Sequence, residues 1–296
     1  MNRYRTLLAT LQQPQLLLLD AYPNAAAAYS LRKLREAYAG NCIEVRRSSD
    51  NALQNIGFVN NKLDTASLLS FVGSGDGFVR TWYDQSGNNS NTSTFNNLSQ
   101  PLIVSNGALV TQSGKNSISF NGTSQYMGCN PVFNSASYAS IFSIINQDSQ
   151  ITTEKVFFTE KSATVSNRIV LAYRLAAAGN TGIGIGGRRI SSDSFQAVGN
   201  QTWLGNVFLT TSFFKWQDAL LESYINGNLN ATRTFQTTGI TDVNAGILST
   251  IGSSGSFGSG LNFFNGKISE LILYPLNQSA NRTGIETNIN NYYNIY

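Results

Sequence analysis

None of the 296 residues is histidine, which removes Ser-His-Asp and Cys-His catalysis together with the imidazole-based zinc and iron sites. Acid–base or nucleophilic chemistry would then fall to carboxylates, Tyr, Lys or Cys. Asp76, Asp84, Glu222 and Glu270 are the candidate carboxylates. Asp84 opens the run Asp84-Gln85-Ser86-Gly87-Asn88, where the ordinary role of a short carboxylate is to hold turn amides. Glu222 and Glu270 stand in strand-like stretches and are expected to face solvent. No residue is assigned catalysis. The acids are sparse and form no local group, so no metal ligand is assigned, and a calcium site is left open. Gly182 to Arg189 imitates a phosphate loop, but its Gly/Ile alternation without a following helix reads as a glycine-rich strand; no cofactor is expected. Cys42 and Cys129 are expected as buried free thiols, with a single disulfide as the alternative.

The elements that would position these groups are mostly strands. Hydrophobic residues make up 41% and charged residues only 12%, with 26 glycines, the profile of a turn-rich sandwich with uncharged polar faces. Gly77 to Tyr83 reads as a buried strand that breaks into the polar Asp84–Asn88 loop. Upstream, Asn24 is placed to cap a helix over Ala25 to Ala39, ended by Gly40, and Asp64 to cap a short helix ended by Gly73. Ile43 to Arg47 is a strand. After the Asn/Ser/Thr-rich stretch Asn89 to Gln100 comes a strand-turn-strand unit over 117–127, and short strands follow: 138–145, 155–159, 168–175, 182–190, 208–216, 221–225 and 267–274. Asn226-Gly227 is a two-residue hairpin turn, and Ser279 is placed to cap a closing helix with Ile285, Ile289 and Tyr292 on one face.

Residues 1–23 read as an N-terminal arm. Leu7, Leu8 and Leu11, then Leu16, Leu17, Leu18 and Leu19, flank a Gln/Pro linker, and that much exposed leucine calls for docking on a partner or on the body. The apolar runs are too short for a membrane span of about 20 residues, and no export cleavage site is evident. The net charge of +4 is spread along the chain, with no basic cluster, so neither nucleic acid nor membrane is expected as a partner.

"TWYDQSGN", with "AYSLRKLREAY", "IEVRRSSDN" and "LDTASLLSFVGSGDGFV" before it, resembles the sandwich domain of the arabinofuranosidase B family, whose wording also occurs in phage structural proteins. "ISFNGTSQYM", "ESYINGNLN" and the closing "FFNGKISELILYPLNQSANRTGIETNINNYY" are similar to concanavalin A-like (laminin G) jelly rolls. Together these imply an all-β, concanavalin A-like jelly-roll sandwich over residues 24–296, with a few peripheral helices. They also imply glycan contact through loop aromatics and amides. Trp82 and Trp216 lie in strand patterns and read as core, leaving Trp203, with Asn206, Asp84 and Asn88, as the glycan-binding candidates. The adjacent cysteine pair of the fungal enzymes is missing, and the nucleophile region of those enzymes has no counterpart. The expectation is therefore a non-enzymatic phage virion surface protein, a tail-fibre, head-fibre or capsid-decoration component. Its arm would dock on other virion proteins, its sandwich would bind host or environmental glycans, and homo-oligomers would fit. The alternative is a secreted or surface carbohydrate-active protein of the arabinofuranosidase B type.

Overall fold

The long strand Asn265–Tyr274 runs through the middle of one antiparallel layer and is buried over its last seven residues. On one side it pairs with Tyr138–Gln147, followed by Val207–Lys215, Leu220–Ile225 and Asn228–Thr234. On its other side Ala27–Ser30 pairs with residues 270–273 and Ile118–Asn121 with residues 265–268. A second layer runs Gln196–Gly199, Ile183–Gly187, Ile169–Tyr173, Lys155–Glu160, Ser249–Ile251 and Met127–Cys129. It continues through Thr92–Ser93 to Gly77–Trp82, Ile43–Arg47 and Leu53–Ile56. Leu102–Ser105 pairs with both Gly77–Trp82 and Ile118–Asn121 and so joins the layers at one edge. This computed structural model describes residues 16–147, 153–161, 168–173, 175–179, 182–200, 206–243, 249–254 and 261–296. The architecture is the all-β jelly-roll sandwich that the strand pattern implies.

Among the described residues, three apolar clusters pack on and between the layers. Ile141, Phe214, Leu221 and Leu271 of the first layer meet Phe157, Leu171, Ile185 and Ile251 of the second in the central core. On the outer face of the first layer, Phe142, Leu209, Phe213 and Ile272 are covered by Leu18, Leu19, Ile285 and Ile289. Val156, Val170, Ala172 and Leu175 form a smaller cluster of their own. Trp82 and Trp216 are fully buried in the core, and Cys42 and Cys129 are buried free thiols. No helix among the described residues is long and apolar enough to cross a membrane.

The expected helix over Ala25 to Ala39 is absent. Residues 27–30 form a strand instead, all four buried. Ala27, Tyr29 and Leu31 enter the central core, whereas Ala28 and Leu34 enter the outer cluster. A strand covered on both faces reads as a continuous apolar run, and that run imitated a helical face. The Asp64 cap is as expected: its carboxylate accepts from Ser67 N, and the helix is Thr65–Val72. The closing helix is Arg282–Tyr293, but Ser279 does not cap it; its hydroxyl donates to Asn277 Oδ1 in the preceding turn.

Of the arm's leucines, Leu7, Leu8 and Leu11 lie outside the described residues. Leu18 and Leu19, in the helical turn Leu18–Ala21, are buried against the protein's own body, while Leu16 is exposed and Leu17 half-buried. Full burial of such a side chain contributes about 1.5–3 kcal/mol. Leu19 N also donates to Leu34 O, and Asn288 Nδ2 to Leu16 O.

Candidate functional site

At the end of Gly77–Trp82 the chain turns into the loop 84–91, held by Asp84. Asp84 is 3% exposed. Its Oδ1 accepts from Ala28 N and Ser86 N, and its Oδ2 from Ser86 Oγ and Ser90 N. These four bonds fill the carboxylate's acceptor sites. Gln85, wholly buried, donates to Ser30 O and Arg32 O and accepts from Leu34 N. Asn88 Nδ2 donates to Ala25 O and Ala26 O at 2.9 and 3.1 Å. The polar loop is thus the brace that fixes the incoming strand Ala27–Ser30, a role the turn chemistry of the sequence announced for Asp84.

Between this loop and the N-terminal segment lies a cavity of about 340 Å³ lined by Asp20, Asn24, Ala25, Arg35, Ser86 and Asn88, with Leu19 and Pro23 at its edge. Asn24 closes it in a left-handed conformation, φ 69°. Arg35 donates through Nη1 to Ser86 O at 3.0 Å and crosses Gly87, where a Cβ would lie 2.6 Å from that nitrogen. Gly87 has φ +97°, so glycine is required there twice over. Asp20 accepts from Glu36 N through Oδ2, leaving Oδ1 unused by any described residue; Nε and Nη2 of Arg35 are likewise unused. A carboxylate oxygen and a planar guanidinium facing one small polar cavity suit neighbouring hydroxyls of a sugar ring. The sequence reading missed Asp20, Asn24 and Arg35. The available signals were an acid ending a leucine run and an Asn standing just before an alanine-rich strand.

Of the four expected glycan-binding residues, Asn206 lies apart from Asp84 and Asn88. Trp203 lies outside the described residues. Asn206 is exposed and precedes Val207, which pairs with Asn146, itself opposite Lys267. The Asp84–Asn88 loop binds Ala25 and Ala26 near Leu273. Six residues of one strand, roughly 20 Å at about 3.3 Å per residue, separate the two ends.

The candidate carboxylates are dispersed as well. Glu270, expected at the surface, is wholly buried because Arg32 folds in with it, giving Oε2 its Nε at 2.8 Å and Oε1 its Nη2 at 2.9 Å. Ser30 Oγ and Tyr293 Oη also donate to it. Glu222 pairs with Lys215 at 2.6 Å, and Asp76 accepts from Asn106 N. A fifth carboxylate, Glu160, is wholly buried with Arg168 at 3.0 Å and accepts from Val132 N, Phe133 N and Ser249 Oγ. Burial raises its pKa against the lowering effect of those partners. Among the described residues no His/Cys/Asp/Glu group is arranged to hold a metal ion.

A family model, that of the alpha-L-arabinofuranosidase B catalytic domain, matches residues 20–141. Among curated proteins, none matches this sequence. Among solved structures, the chain is similar to an arabinofuranosidase complexed with arabinofuranosyl-α-1,2-xylobiose, with TM-score 0.62, 14% identity, and 92% of this chain and 64% of that chain covered. It is similar also to an α-L-arabinofuranosidase soaked with a cyclic sulfate inhibitor, with TM-score 0.64 at the same identity and coverage. This chain therefore spans just under two thirds of those enzymes' length. The fold is shared over nearly the whole of it. The expectation of a non-enzymatic protein is overturned, because the model that matches residues 20–141 is that of a catalytic domain. None of these matches is to a virion protein, and they back the arabinofuranosidase alternative over the virion reading.

Proposed function

We propose that this protein is a carbohydrate-active domain of the arabinofuranosidase B type, a glycoside hydrolase that takes a terminal arabinofuranosyl unit in the cavity between Asp20, Arg35 and Asn88. The family match over residues 20–141 carries this reading, and every lining residue of that cavity except Leu19 falls inside the matched segment. The cavity's size suits one small sugar ring, and its polar atoms left unused, Asp20 Oδ1 with Nε and Nη2 of Arg35, offer one acceptor and several donors to ring hydroxyls. Glycoside hydrolysis needs two carboxylates flanking the bond. Asp20 is the one that this cavity supplies; we assign it to ring binding and assign no catalytic pair.

The test is release of 4-nitrophenol from 4-nitrophenyl α-L-arabinofuranoside by the full chain. Release above the buffer rate is expected, and Arg35→Met should raise KM by about tenfold, the equivalent of one charge-assisted hydrogen bond of about 1.4 kcal/mol. A wild-type protein that releases no arabinose from this substrate or from arabinoxylan would sink the reading.

A further inference from the structure

At the opposite edge of the first layer, across Tyr138–Gln147 and Val207–Lys215 from Asn265–Tyr274, the hairpin joining Leu220–Ile225 to Asn228–Thr234 forms one wall of a cavity of about 420 Å³, lined by Asn200, Ile225, Asn226, Asn228, Leu229, Asn230 and Tyr296. We propose that this cavity is a second carbohydrate-binding site, taking a neutral oligosaccharide that lays a sugar face on Tyr296 and hydrogen-bonds to Asn200, Asn228 and Asn230. The inference rests on the carbohydrate reading above but concerns a separate cavity that shares no lining residue with the first.

Chemistry of the lining selects the ligand. Four side-chain amides, one phenol and two aliphatic side chains line the cavity, and none of these side chains carries a charge; the nearby Arg282 and Glu286 pair with each other. Arg282, nearby, gives Nη1 to Gly227 O and to Glu286 Oε2. An amide offers both donor and acceptor, as a sugar hydroxyl does, and a tyrosine ring offers an apolar face with a polar tip. Tyr296 is 53% exposed and Leu229 57%, an apolar surface left open beside the amides.

The wall is also preorganised. Asn226 and Gly227 hold φ of 50° and 77°, the turn geometry that Asn-Gly favours. Asn226 Oδ1 accepts from Leu209 N, which pins the tip to the neighbouring strand. Ser223 pairs with Ala231 and Tyr224 with Leu229, leaving Asn230 as the extra residue of a β-bulge. Bulges re-aim side chains and recur beside functional sites. The amide oxygens of Asn228 and Asn230 accept from no described residue, and their nitrogens make only peripheral bonds, to Asn226 O at 3.1 Å and Ser223 Oγ at 3.3 Å.

The experiment is calorimetric titration of the full chain with xylotriose, a neutral pentose trisaccharide carrying no arabinofuranosyl group. Wild type is expected to bind at millimolar concentrations. Tyr296→Ala and the double variant Asn228→Ala with Asn230→Ala should each weaken binding by about tenfold or more, while Tyr296→Phe keeps the ring and stays close to wild type. Asn88→Ala, in the other cavity across the layer, should leave xylotriose binding unchanged. Equal binding by wild type and Tyr296→Ala, loss on Asn88→Ala, or no binding by wild type would each overturn the second site. A wild type that releases 4-nitrophenol yet binds no xylotriose defeats this inference alone; one that does neither defeats the functional reading too.

Discussion

Asp84 and Asn88 at one edge of the first layer, and Asn228 and Asn230 at the other, are short polar side chains on or beside turns, yet their atoms meet different surroundings. Asp84 is buried and accepts four bonds from its own chain, and Asn88 ties the loop to Ala25 and Ala26. Asn228 and Asn230 line an open cavity with their amide oxygens unused. Buried polar groups that are fully bonded rigidify a fold; polar groups held in place with capacity left over can bind. The contrast also orders the expected effects of mutation.

The largest effect should come from Asp84→Ala. It leaves the N–H groups of Ala28, Ser86 and Ser90 without their acceptor, and an orphaned buried donor costs about 1–3 kcal/mol. With partial relaxation, a loss of about 3–5 kcal/mol in urea unfolding is expected, and Asp84→Asn should fall between that and wild type. A loss below about 1 kcal/mol would mean that the loop is no brace and that its polar atoms are as available as those of the hairpin.

Gly87→Ala should cost less, about 1–3 kcal/mol for a strained left-handed position. Its new methyl would also displace the tip of Arg35 from Ser86 O, so arabinofuranoside hydrolysis should weaken with stability. Combining it with Arg35→Ala relieves the collision, and the two stability losses should sum to more than the double variant shows.

A pH-dependent contribution follows from Glu286 on the closing helix, whose carboxylate accepts from Thr211 Oγ1 and Arg282. Burial raises its pKa above the ordinary 4.5 in spite of those partners. The folded protein then holds this proton to a higher pH than the unfolded chain does, so the stability it contributes is full below about pH 4.5 and is lost as pH rises through the folded value. Thermal midpoints should decline over that window, and Glu286→Gln should flatten the decline. Because burial raises Glu160 in the same direction, part of the slope should survive; an unchanged slope would remove Glu286 from the account.

The sandwich, the Asp64 cap and the Asn226-Gly227 turn were legible because each depends on neighbours in sequence: alternation, a capping carboxylate, a turn that needs two positive φ values. What failed depended on distant partners. Ala27 to Leu34 carries a helical spacing, and only the covering of both faces by separate clusters makes residues 27–30 a strand. Arg32 and Glu270 each look like surface residues, and they are buried because they meet each other across 238 positions. Asp84 and Asn88 were grouped with Asn206 by residue type alone, and strand register puts them at opposite ends. Asn230, one of the two amides with an unused oxygen, stands on a bulge, which no local pattern specifies.

The smallest expected stability effect bears most directly on the contrast. Asn228→Ala and Asn230→Ala each remove a peripheral bond at a position whose backbone pairing needs no side chain, so each should change urea stability by no more than about 0.5 kcal/mol. Should either cost more than about 1.5 kcal/mol, the amides brace the turn as Asp84 braces its loop, and the two edges of the layer differ only in exposure. A near-zero cost, together with lost xylotriose binding, would show that these side chains are dispensable to the fold and are held in place by a turn and bulge that would form without them.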